Sequence, residues 1–154
     1  TMLSGATLGA LERDGRLLIC ATNFVRALDA AFLRHGRFDY VIPIGLPDGE
    51  ARAAIWNRYI PAAAAEATDV AALVTASDGL TPADIEYAAR RASQEALARA
   101  LRAGEGIGEG SGEGADAAPL ATDDYLRALA ATRATVSAEA VSDFVIDIDE
   151  YARL

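Results

Sequence analysis

Three side chains in one short stretch have the types and spacing to act on a phosphate: Asn23, Arg34 and Arg37. Asn23 follows the apolar run Leu17-Leu18-Ile19-Cys20-Ala21 and Thr22. A run that is apolar on both faces suits a strand buried in a parallel sheet. In open α/β sheets, ligand-binding groups sit just past the carboxyl ends of the strands. A carboxamide placed there can donate and accept at once, as a water-positioning group must. The plainer alternative is a turn residue. Arg34 and Arg37 carry planar, permanently charged forks that match phosphate oxygens. Their plainer alternative is a surface pair, or a link to Asp29 or Asp39.

The elements that would position these side chains follow from local signals. Asp14-Gly15 marks a turn before the first strand. Asp29 can cap a short helix that stops at Gly36, and this helix would carry Arg34, with Arg37 just beyond it. Residues 40–44 read as a second strand, broken by Leu46-Pro47-Asp48. Cys20, in the first strand, reads as a small core residue. Residues 1–11 have leucines at helical spacing, weakened by Gly5 and Gly9.

Beyond Asp48 the pattern becomes helical. Asp48-Gly49-Glu50 opens a helix with acid in its first turn, and Ala51, Ile55 and Tyr59 form one stripe beside Trp56, with Pro61 in the last turn. Asp69 caps a second helix that ends near Gly79. Thr81-Pro82-Ala83-Asp84 is a strong start signal: Thr as cap, Pro first, acid third. Ile85, Ala88, Ala89, Ala92, Ala96 and Leu101 mark the buried side of this long third helix. Thr122 is expected to cap a fourth helix containing Tyr125 and Leu129, and Ser137 a fifth with Val141, Phe144, Val145 and Ile148 on one stripe. Residues 145–149 could also form a strand, but they continue the helical stripe. Asp147, Asp149 and Glu150 read as a solvated acidic face. Residues 104–119 are rich in Gly and acid and read as a flexible linker.

Together these segments resemble the AAA (AAA+) family of ring-forming ATPases. Ala21-Thr22-Asn23 is similar to the family's sensor-1 segment. Leu28-Asp29 with Phe32-Leu33-Arg34-His35-Gly36-Arg37-Phe38-Asp39 is similar to its arginine-finger segment. Gly45-Leu46-Pro47-Asp48 is similar to the junction between nucleotide-binding core and lid. The resemblance implies an α/β remnant of a parallel P-loop-type sheet, with two strands, followed by a mainly α-helical lid. Residues 1–48 would be the C-terminal part of the core and residues 49–154 the lid. It further implies that Asn23 positions the attacking water and that Arg34 and Arg37 act in trans on a neighbouring subunit. Ala83 and Tyr59 would lie near the nucleotide. Pro82 stands where the family usually has Gly and removes a backbone donor; Tyr59 stands where many members have His. The implied cofactor is ATP with Mg²⁺, shared in a ring that the resemblance makes homo-oligomeric and hexameric, with a protein as substrate.

What is missing is equally informative. The 154 residues contain no Lys, so the phosphate loop GxxxxGK[ST] of this family is not among them. No Asp-Glu pair ends an apolar strand before Asn23. The chain alone is therefore expected not to hydrolyse ATP, and the competing reading is a non-catalytic module that docks on AAA subunits. A net charge of −9 argues against direct nucleic-acid binding. One cysteine excludes an internal disulfide. No apolar run reaches about 20 residues, the length of a membrane span, so a cytoplasmic location is the expectation.

Overall fold

The computed structural model describes residues 14–15, 17–29, 31, 38–103 and 120–153. It divides into two compact units: residues 46–137, and residues up to Gly45 together with those from Ala138 onward. Five α-helices lie among the described residues: α1 (Gly49–Tyr59), α2 (Val70–Ala76), α3 (Pro82–Ala103), α4 (Thr122–Ala130) and α5 (Ala138–Tyr151).

The 46–137 unit is built by helices whose starts are chemically marked. The Asp48 carboxylate accepts the Ala51 N–H at 2.8 Å and the Asp69 carboxylate accepts the Ala72 N–H at 3.1 Å, so α1 and α2 both begin on an Asp cap. At α3 the cap is reciprocal. The Thr81 hydroxyl accepts the Asp84 N–H, and the Asp84 carboxylate accepts the Thr81 N–H. Gly79, at φ +75°, supplies the left-handed turn between α2 and α3. Pro61 lies past the end of α1, which closes at Ile60, and begins a 3-10 turn, Ala62–Ala64. Thr122 is the first residue of α4 rather than its cap. Its hydroxyl accepts the Asp69 N–H instead and fastens the approach to α2. The start of α4 is satisfied by Asp124, which accepts the Ala121 N–H at 3.1 Å.

The core of this unit forms around Trp56, Leu73, Ile85 and Tyr125, all fully buried. Ala88, Ala89, Ala92 and Ala96 are buried along α3, and these small side chains let α4 approach closely. Leu101, expected on that stripe, is exposed, because the apolar face of α3 runs out before its last turn. Trp56 donates its ring N–H to the Ser77 hydroxyl at 3.1 Å, and Ser77 donates on to the Leu73 carbonyl. Arg52 of α1 donates to the carbonyls of Val74 and Pro47 and pairs with Asp78 at 3.1 Å. Arg99 of α3 and Arg127 of α4 both hold the enclosed Asp124 carboxylate at 2.9 Å.

In the other unit, the two expected strands do not form among the described residues. Residues 17–21 have no assigned secondary structure and pair with no strand among the described residues, and Leu17 and Ile19 are exposed. Val41 makes only an isolated antiparallel bridge to Arg153. A strand is held by a neighbour's backbone groups, and the described residues offer these segments no ladder. Cys20, expected to be buried, is exposed for the same reason. The turn at Asp14-Gly15 is present, with Gly15 at φ +65°. Residues 145–149 are helical, inside α5. The expected helix at residues 1–11, the linker at 104–119 and the segment carrying Arg34 and Arg37 lie outside the described residues. Among the described residues, no helix is long and apolar enough to cross a membrane.

Candidate functional site

Asn23 occupies a bend between residues 17–21, which have no regular secondary structure, and a 3-10 turn, Val25–Ala27. The Phe24 N–H donates to the Thr22 hydroxyl at 3.0 Å, so the backbone turns around Asn23 and leaves its side chain exposed. Downstream, the Asp29 carboxylate accepts the Ala31 N–H at 2.8 Å, two residues on, an Asx-turn contact.

Ala83 and Tyr59 both belong to the 46–137 unit, in α3 and α1 respectively. Tyr59 is the last residue of α1. Its phenol meets Glu86 on α3, and that hydrogen bond, with some burial, holds its pKa above the ordinary phenol value. Glu86 also pairs with Arg90 one turn on. Ala83 lies three residues before Glu86, on the same side of α3, and is exposed. Glu86 was not singled out by its sequence pattern. The signal that could have found it is its (i, i+3) spacing from Ala83.

The start of α3 is held firmly. A single oxygen of Asp84 accepts from the Thr81 N–H and hydroxyl at 3.0 and 2.8 Å, and from the Thr135 N–H and hydroxyl at 3.3 and 3.1 Å. Burial works against the charge of Asp84, but these bonds outweigh it and hold the carboxyl below its usual pKa. Asp84 is therefore a brace that presents Ala83. Pro82 has no N–H to offer and Thr81 takes that of Asp84, so the first turn keeps one outward donor, the Ala83 amide. At the other end of α3 a cavity of about 380 Å³ is lined by Glu95, Arg99, Arg102 and Arg127. Asp124 already engages Arg99 and Arg127, so this cavity reads as a tie between helices.

Among the described residues, no group of three or more His, Cys, Asp or Glu side chains is placed to hold a metal ion. The acidic run near the C-terminus is not a uniform solvated face either. Asp147 is largely enclosed and paired with Arg26, while Asp149 and Glu150 are exposed.

No family model matches the chain. Over 100 residues it is 39% identical to a cell division cycle protein 48 homolog from Archaeoglobus fulgidus, covering 62% of this chain and 13% of that protein. It is 37% identical over 89 residues to an ATP-dependent zinc metalloprotease YME1 homolog from Caenorhabditis elegans, covering 57% and 12%. It is 36% identical over 85 residues to a proteasome-activating nucleotidase from Saccharolobus islandicus, covering 54% and 22%. The chain thus spans less than a quarter of the length of these curated relatives. In fold it is similar to the crystal structure of the FIGL-1 AAA domain, with TM-score 0.72 and 19% identity over 96% of this chain and 50% of that one. The ADP complex of the same domain gives TM-score 0.69 and 21% identity over 87% and 44%. These likenesses, added to the motifs at residues 21–48, support reading the chain as a fragment of an AAA+ ATPase.

Proposed function

We propose that this chain supplies three parts of an ATP-hydrolysing site that is completed only in an oligomeric ring. Asn23 positions the attacking water in its own subunit. Arg34 and Arg37 reach the nucleotide of the neighbouring subunit. The helical segment that follows Asp48 serves as the lid, with Ala83 and Tyr59 at the nucleotide's edge. In this reading residues 1–48 belong to the nucleotide-binding core and residues 49–154 to the lid. MgATP, bound in the context of a full ATPase, supplies the scissile phosphoanhydride. The ring is homo-oligomeric and hexameric by family resemblance, acts on a protein and is cytoplasmic.

The observation that carries this reading is the order of three motifs, ending at Gly45-Leu46-Pro47-Asp48, directly before a capped helical unit. Phosphoryl transfer is mostly positioning and charge stabilisation. Asn23 and the two arginines have the chemistry for those two tasks. A finger neutralises charge that develops in the transition state, so its loss falls on kcat.

The test uses rings of subunits that carry this segment. Arg34→Ala is expected to lower kcat on the order of 10³-fold with nucleotide affinity nearly intact. Arg34→Lys should rescue poorly, because a point charge lacks the planar fork. In mixed rings, Arg34→Ala should silence the neighbour's site and Asn23→Ala its own. An Arg34→Ala defect confined to the subunit that carries it would overturn the trans assignment.

The second reading is a non-catalytic module that docks on AAA subunits. Calorimetric titration of the chain with MgATP bears on both. Weak or no binding is expected, and tight stoichiometric binding would contradict the shared-site proposal.

A further inference from the structure

The 3-10 turn that follows Asn23 carries Arg26, whose guanidinium is engaged by two aspartates. Its guanidinium makes three bonds to α5. Nε donates to the Asp147 carboxylate, Nη1 to the Asp143 carboxylate at 3.3 Å, and Nη2 to the Asp143 backbone carbonyl at 2.9 Å. Asp143 and Asp147 are four residues apart, so they stand one turn apart on one helix face. Only a flat fork with several donors can meet two carboxylates and a carbonyl together. The Asp147 hydrogen bond, opposed by slight burial, raises the Arg26 pKa, so the charge is permanent.

Two further contacts fix the same helix to the same segment. The Phe144 ring lies so close to Gly45 that an added Cβ would stand 2.8 Å from it. Past the end of α5, Val41 and Arg153 exchange both backbone bonds at 3.0 Å. Helix α5 and the residue just past it are thus met by Arg26, Val41 and Gly45, all of which follow Asn23 in the chain.

We propose that Arg26 is a positioning residue for Asn23, and that Arg26, Asp143 and Asp147 form a latch through which α5 holds the Asn23 bend in place. The proposal rests on the reading of Asn23 as the water-positioning residue. A single exposed ion pair contributes little to stability. This latch acts through geometry: three bonds to one rigid group limit both the tilt and the slide of a segment that has no strand ladder to hold it. The carboxamide of Asn23 must sit within a fraction of an ångström of its working position, and misplacement by about 1 Å can cost 10²-fold in rate.

The chain offers its own probe. Cys20 is its only cysteine, is exposed and precedes Asn23 by three residues, so a nitroxide can be attached to the unaltered chain. An immobilised spectrum is expected for the native sequence. Arg26→Ala and the double change Asp143→Ala with Asp147→Ala should each give a mobile spectrum, while Trp56 fluorescence reports that residues 46–137 remain folded. Arg26→Lys should not restore immobilisation. The exchange Arg26→Asp with Asp147→Arg should restore most of it. A spectrum unchanged by Arg26→Ala, or not rescued by the exchange, would overturn the latch.

In rings carrying the segment, Arg26→Ala should lower kcat about tenfold or more and leave KM for ATP within about twofold, as expected of a change felt only in the transition state. It should add nothing to Asn23→Ala. If Asn23→Ala lowers kcat but Arg26→Ala does not, the positioning role is wrong. If Asn23→Ala itself has no effect, the hydrolytic reading of Asn23 fails, while the nitroxide spectra still decide the latch.

Discussion

Tyr125 shows how one atom can work against an otherwise well-packed residue. Its ring meets Trp56 edge-on, with centroids 5.7 Å apart and planes at 75°. Its hydroxyl is buried with no partner among the described residues, and burial pushes its pKa up. A buried hydroxyl without a hydrogen bond costs about 1–3 kcal/mol. Tyr125→Phe should therefore keep or raise stability, by up to about 1 kcal/mol in denaturant titration followed by circular dichroism. Trp56→Ala, at the centre of the same core, should lose about 3–5 kcal/mol. Ser77→Ala should fall between them, because it strands the Trp56 N–H.

Among the elements, α3 is the one whose start matters most. Thr81→Val removes the hydroxyl that caps Asp84 and should cost about 1 kcal/mol. Asp84 and Asp124 also make the helical unit sensitive to acid. Burial opposes both charges. Hydrogen bonds from Thr81 and Thr135 in one case, and from Arg99 and Ala121 with the charge of Arg127 in the other, prevail and lower both pKa values. A depressed folded pKa means that the unfolded chain binds more protons over this range, so stability rises with pH. The contribution is complete above the unfolded aspartate value of about 3.9, and it is lost as pH falls through the folded values. Melting followed by Trp56 fluorescence should show a midpoint that drops below about pH 4. The double change Asp84→Asn with Asp124→Asn should flatten that drop while lowering stability at neutral pH.

At the scale of the whole molecule, the buried apolar residues among those described, from Trp56 to Leu129, lie in residues 46–137. The other unit has no fully buried apolar residue among those described and is held by the Arg26 bonds, the Phe144 contact and one bridge. A chain cut to residues 46–137 should thus still unfold cooperatively, with its midpoint within about 5 °C of the full chain, since about 1 kcal/mol moves a domain of this size by that much. In hydrogen exchange, amides at residues 17–29 should exchange well before those in the middle of α3. Loss of cooperativity in the cut chain would mean that its core depends on the other unit.

The helices were legible because their information is local. Asp48, Asp69 and the Thr81–Asp84 box mark three starts, and the alanine spacing of α3 names its buried face. Caps and periodicity act within one or two turns, so a single sequence carries them whole. The family motifs around Asn23 were legible for the same reason, as residue types at fixed spacing. What the sequence could not decide was anything that depends on a partner distant along the chain. The apolar residues 17–21 and 40–44 announce strands, but a strand exists only beside another, so Leu17, Ile19 and Cys20 are exposed instead of buried. Thr122 has the look of a cap, yet its hydroxyl serves Asp69, 53 residues away. Asp147 reads as one acid among several, until the fold brings it to Arg26 across 121 positions. Local chemistry set which segments become helices; only the tertiary structure settled which charges meet and which apolar runs find cover, because those outcomes depend on distances between residues that no spacing in the sequence specifies.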